Sequence, residues 1–153
     1  MMNLKNLFWS LFLLSCSAYM ASAQSSDEDL VRQAVEDYVL ALYEVAPERI
    51  AKSVDTSLHK IGYYDYNGKP QNHVPMTYQQ LYDLAGRWNK EGKNADDDSP
   101  REIEIYEVHD KTASAKLTAE WGIDFMHLSK VDGHWKIMNI MWQRPPTQAL
   151  TAR

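Results

Sequence analysis

The chain has 153 residues, 24% of them charged and 44% hydrophobic, with a formal net charge of −5 and one cysteine, Cys16. Its acidic balance argues against a nucleic-acid or anionic-membrane partner, because both call for clustered Lys and Arg. A single cysteine excludes an internal disulfide, and the length suits one domain stabilised by packing.

Residues 1–23 read as a secretory signal peptide. Lys5 supplies the positive start, Leu7 to Leu14 forms a short apolar core, and Ala21-Ser22-Ala23 fits a cleavage site. The apolar run falls short of the roughly 20 residues a membrane span needs. The expectation is therefore export, to the periplasm or beyond, with cleavage near Ala23 and a single domain over residues 24–153. Leu13-Leu14-Ser15-Cys16 offers a competing lipoprotein-type signal with Cys16 as the lipidated residue, although Leu14 fits that pattern poorly.

From Ser26 to Tyr43, Leu30, Val31, Ala34, Val35, Tyr38, Val39, Ala41 and Leu42 recur at three- and four-residue steps, which predicts an amphipathic helix. Ser26 and Asp29 have capping-box spacing at its start. Pro47 is placed to open a second, shorter helix over residues 48–54. Residues 58–66 read as a strand ending at the Asn67-Gly68 turn. Thr77 caps a third helix whose inner face carries Tyr78, Leu81, Tyr82, Leu84, Ala85 and Trp88. A polar, acidic linker, residues 94–100, follows.

Four strand-length segments complete the chain, over residues 103–108, 113–121, 123–131 and 135–142, and their short connections force an antiparallel meander. In the second segment Ala113, Ala115, Leu117, Ala119 and Trp121 share one face. In the last, Met138, Ile140 and Trp142 alternate with Trp135, Ile137 and Met141, so both faces read as apolar. That pattern calls for a cover on the outer face, with Trp135 and a partner subunit as the expected components.

This order of elements resembles the α+β, cone-shaped fold of the nuclear transport factor 2-like superfamily from about Asp29 to Gln143, with three N-terminal helices packed in a curved antiparallel sheet. Within it, the chain resembles the bacterial "putative lumazine-binding" family. The resemblance is carried by Tyr43 to Ile50, by Asn89-Lys90-Glu91-Gly92, and above all by the run Asp110 to Trp121 with Asp124, His127-Leu128 and Trp135-Lys136-Ile137. It implies a pocket for a small aromatic compound and a homodimer paired through the sheet. The chain departs from the family where relatives commonly carry His-Pro-Asp and this one has Asp55-Thr56-Ser57.

A more distant likeness, to ketosteroid isomerase, places Tyr38 within Tyr38-Val39-Leu40-Ala41-Leu42 and Asp124 within Ile123-Asp124 at the positions of that enzyme's oxyanion donors. In such an enzyme the pair supplies two hydrogen-bond donors aimed at a developing enolate oxygen. The isomerase's carboxylate base would fall at Gly62, which has no side chain to serve.

The expected ligand-binding residues are Tyr38, Trp88, Trp121, Asp124, Met126, Met138 and Trp142. Asp124, between Ile123 and Phe125, sets polarity; the tryptophans present indole faces; the methionines fill gaps. His127 lies three residues from Asp124, so on a strand the two face opposite ways, and it is assigned to the outer face. The histidines have no ligand spacing and the chain no dinucleotide or phosphate-loop motif, so neither metal nor cofactor is predicted. Three functions compete: a small-molecule binder, an isomerase-like or dehydratase-like enzyme using Tyr38 and Asp124, and a dimeric association module whose cavity is filled by its own side chains.

Overall fold

The computed structural model describes residues 25–144; the signal segment and Cys16 lie outside them. Helix α1 spans Asp27–Tyr43 and α2 spans Pro47–Ser53, with Pro47 in the first turn. Strand β1, Val54–Tyr66, and β2, Lys69–Met76, form a hairpin, and α3 follows over Tyr78–Ala85. The meander comprises β3 (Arg101–Val108), β4 (Thr112–Ala119), β5 (Gly122–Val131) and β6 (His134–Gln143).

The α1 cap forms as its spacing predicts: Asp29 N–H donates to Ser26 Oγ at 3.1 Å, while Ser26 N–H donates back to Asp29 Oδ2. Thr77 and Gln80 close an equivalent box at α3. That helix ends at Ala85, so Trp88 sits in the turns beyond it and not on its face.

The sheet runs β2-β1-β6-β5-β4-β3. It is mixed and not wholly antiparallel: β1 and β6 pair parallel and all other neighbours antiparallel. Strand β2 is hidden in the sequence because Pro70 and Pro75 argue against pairing. At a sheet edge a missing N–H costs nothing, and His73, in the left-handed region at φ 57°, marks a bulge that absorbs the mismatch.

Helix α1 fills the concave face, where Val31, Val35, Tyr38 and Val39 pack on Ala115, Leu117, Met126, Leu128, Ile137 and Ile140. A bulge on β6 corrects the expected phase of that strand. Leu128 pairs with Ile137 and His127 with Asn139, which leaves Met138 unpaired and reverses the alternation after it. Trp135, Ile137 and Ile140 are thus all buried, Met138 is partly exposed, and Trp135 belongs to the core and not to the outer face. His127 is exposed on the outer face, as expected. The apolar surface on that face includes the cross-strand pair Phe125 and Met141, about half exposed.

Candidate functional site

Three polar side chains meet at one end of the core, each from a different element: Tyr38 from α1, Lys60 from β1 and Asp124 from β5. Strand alternation puts Lys60 on the same side as Leu58 and Gly62, and Asp124 on the same side as Met126 and Leu128, so both point at the helix. They are almost wholly removed from solvent, with 1% of Tyr38, 5% of Lys60 and 0% of Asp124 exposed.

Lys60 Nζ donates to the Tyr38 hydroxyl at 2.7 Å and stands 3.6 Å from Asp124 Oδ1. The Trp121 indole N–H donates to the other carboxylate oxygen, Oδ2, at 2.9 Å. Asp124 Oδ1 is left with the ammonium as a neighbouring charge but no hydrogen-bond partner. An ammonium has three protons to give, and only the bond to Tyr38 is made. Donor capacity on Lys60 therefore faces acceptor capacity on Asp124 inside the buried core, where unsatisfied polar groups cost about 1–3 kcal/mol each.

Burial lowers the Lys60 pKa, and the charge of Asp124 offsets part of that effect. Tyr38 is pushed well above the usual phenol value, first by burial and then by the Asp124 charge. These shifts oppose an ammonium and a phenolate in the same place, because each charged form has lost its water.

Aromatic rings wall the cluster. Trp121 meets Tyr38, Tyr43 and Trp88 edge-on, with centroids 5.3–5.9 Å apart, and Tyr43 stacks on Trp88. On the other side Trp142 stacks on Tyr64 at 5.5 Å, and Lys60 Nζ lies 5.6 Å from the Trp142 ring and 5.3 Å from that of Tyr38. Gly62 makes room for this indole, since a Cβ there would overlap its nitrogen. Gly122, at φ 135°, holds the turn that delivers Trp121, and a Cβ there would strike the Gln143 carbonyl.

Of the expected site residues, the structure brings Tyr38, Trp121, Asp124 and Trp142 around one point, with Trp88 behind Trp121 and Met126 buried beside Asp124. Met138, in the bulge, does not join them. In this arrangement Tyr38 accepts from Lys60 and Asp124 accepts from Trp121.

Sequence reasoning misses Lys60 and Tyr43. Lys60 is legible through its two-residue step from Leu58, but Ile61, also buried, masks the alternation. Tyr43 ties the linker to the meander: its hydroxyl donates to the Pro100 carbonyl at 2.6 Å and accepts from Glu120 N–H at 2.8 Å. Asn89, in one of the family-like segments, braces that linker through bonds to Tyr43, Asn94 and Ala95. At the departure from the family pattern, Asp55 accepts from the Ser57 backbone and hydroxyl within β1. An open cleft of about 590 Å³ lies elsewhere, between α1, the end of α2 and the β5–β6 turn, and includes none of the expected site residues. Among the described residues no group of three His, Cys, Asp or Glu could hold a metal ion, and no helix is long and apolar enough to cross a membrane.

Solved structures share this architecture. An NTF2-like protein of unknown function from Shewanella baltica OS155 is 16% identical, with a TM-score of 0.60 over 81% of this chain and 100% of that one. Another, from Silicibacter pomeroyi DSS-3, is 15% identical, with a TM-score of 0.54 over 78% and 99%. A third, from Methylobacillus flagellatus KT, is 17% identical, with a TM-score of 0.54 over 80% and 97%. At such identities the likeness establishes the α+β, NTF2-like fold alone. No curated protein matches the sequence. Residues 26–143, the whole of the folded domain, match the family described as "putative lumazine-binding", and the chain belongs to that family.

Proposed function

We propose that the protein is an exported, homodimeric binder of a small planar or carbonyl-bearing molecule, held at the end of the core where Tyr38, Lys60, Trp121, Asp124 and Trp142 meet. The observation that carries this reading is the unfilled hydrogen-bonding capacity of the cluster. Asp124 Oδ1 is fully buried without a partner, 3.6 Å from an amine that makes one bond out of three. A ligand presenting a carbonyl to Lys60 and an N–H or O–H to Asp124 satisfies both, and flanking indoles suit a flat ring. The description of the family supports a small-molecule ligand in the same sense.

The signal-like residues 1–23 support export. The exposed Phe125–Met141 pair supports pairing through the outer sheet face, where Ile61 adjoins Met141, and Lys116, bonded to Glu104, adjoins Phe125. Replacing both Phe125 and Met141 by Glu is expected to give a monomer in sedimentation; an unchanged mass would move the interface elsewhere.

Native mass spectrometry of the protein isolated from the exported fraction of its own cells tests the binding reading. A retained non-protein mass that declines in a folded Asp124→Asn variant is the expected result. Bare protein that also fails to take up aromatic carbonyl compounds favours the association module instead, a reading supported by the way Tyr38, Tyr43 and Trp88 already surround Trp121.

A further inference from the structure

We propose that Lys60 is a covalent site: its amine condenses with the carbonyl group of an aldehyde or ketone ligand to form a Schiff base, assisted by Tyr38 and Asp124. This rests on reading the same cluster as a small-molecule site.

The grouping is what such a reaction requires. A nucleophilic amine must be available without its third proton, a proton carrier must touch both the nitrogen and the carbonyl oxygen, and an anion must balance the cationic intermediate. Lys60 is the nucleophile, and removal from water favours its neutral form. Tyr38, with its oxygen 2.7 Å from Nζ, is the carrier. Asp124 Oδ1, 3.6 Å from Nζ and without a hydrogen-bond partner, is the balancing charge, while Oδ2 is held in place by the Trp121 indole.

In the first step the nitrogen lone pair forms the N–C bond and the carbonyl π pair moves to oxygen. That oxygen takes the Tyr38 hydroxyl proton as Tyr38 receives one from the new N–H, leaving a neutral carbinolamine. The nitrogen lone pair then expels the hydroxyl, which departs as water with a proton relayed through Tyr38. The transient iminium beside Asp124 loses its N–H proton back to Tyr38. Amine and carbonyl compound give imine and water, and nothing is oxidised or reduced. Trp142, half-buried and packed over Gly62 beside Lys60, is the ring a planar ligand must displace or stack upon to arrive.

The test uses the folded domain, 2-naphthaldehyde as probe and cyanoborohydride to reduce the imine to a stable secondary amine, followed by intact mass and peptide mapping at neutral pH. Each unit by which an amine's pKa is lowered gives about tenfold more free base at a fixed pH. The expected result is that Lys60 is labelled about tenfold or more faster than the exposed Lys90 and Lys93. Tyr38→Phe, checked for folding by circular dichroism, is expected to slow that labelling by a similar factor without affecting the exposed lysines. Tryptophan fluorescence on adding the aldehyde alone reports binding separately. Quenching with labelling of Lys60 no faster than that of the exposed lysines overturns the covalent role and leaves the binding proposal standing. Absence of both quenching and labelling overturns both. Fast labelling of Lys60 that is unchanged in a folded Tyr38→Phe variant overturns the assisted mechanism.

Discussion

The same three residue types, Trp, Asp and Lys, are joined twice in this molecule, once at a partly exposed helix end and once deep in the core. At the start of α1, Trp135 and Lys130 both donate to Asp27 Oδ1, at 3.1 and 2.6 Å, and the side chains of Lys130 and Asp27 are 25% and 35% exposed. In the core, Trp121 donates to Asp124 while Lys60 stands 3.6 Å away, with side-chain exposures of 5% for the lysine and 0% for the aspartate. The first trio is partly open to solvent and its carboxylate becomes a stronger acid, held down by Lys130 first and Trp135 second, at a helix end that favours negative charge. The second is closed off from solvent, and the consequence falls on Lys60, whose charge is opposed by burial. Identical chemistry is thus a fastening at the surface and an incompletely hydrogen-bonded grouping inside.

Removing a charge should therefore be far more costly inside. Asp124→Leu leaves an ammonium alone in the core and is expected to destabilise the protein by about 3–5 kcal/mol in urea unfolding. Adding Lys60→Met to that variant should recover most of the loss, since the two sites are coupled. A double variant no more stable than the single one would mean that the two charges do not depend on each other. Next in size, Trp121→Phe deletes the indole donor to Asp124 Oδ2 and should cost about 1–3 kcal/mol. Gly62→Ala forces the Trp142 ring off the strand, at a cost of about 1–3 kcal/mol typical of overpacking, with an accompanying change in tryptophan emission. Unaltered emission would show that the ring does not need the missing Cβ.

The smallest effect belongs to the surface trio and appears only in acid. Asp27 titrates below its ordinary 3.8 in the folded chain, so the stability it contributes is present above 3.8 and is lost as pH falls through the folded value. Asp27→Asn should shallow the acid limb of a melting-temperature profile and leave the profile's shape at neutral pH alone. An acid limb as steep as the parent's would assign the loss to other carboxylates, such as Asp29 and Asp55, which are also lowered by their own hydrogen bonds.

Much of this is legible in the sequence where one periodicity rules. The three-and-four spacing of α1 and the strict alternation of β4 place Tyr38 and the alanine row on the concave face, and the step from Asp124 to Met126 and Leu128 turns the carboxylate inward. What is hidden lies where the period breaks. A single inserted residue, Met138, reverses β6, which is why Trp135 reads as an outer residue and is a core one. Lys60 hides for a related reason: β1 is buried at the consecutive positions Lys60, Ile61 and Gly62, so alternation cannot say which way the lysine points. The partner of a buried carboxylate depends on which strand is paired beside which. Here the parallel pairing of β1 with β6 sets Lys60 level with Ile140, one strand away from the β5 that carries Asp124, and no spacing along the chain encodes that.

An amine and a carboxylate share a buried interior at the aromatic end of the cone. The most direct measurement is the pH titration of the Lys60 side chain by carbon and nitrogen NMR of labelled lysine, assigned with Lys60→Arg. A midpoint below the ordinary 10.5, lowered further in Asp124→Asn, is the predicted result. A midpoint at or above 10.5, unmoved by loss of the carboxylate, would place Lys60 in water and contradict the account.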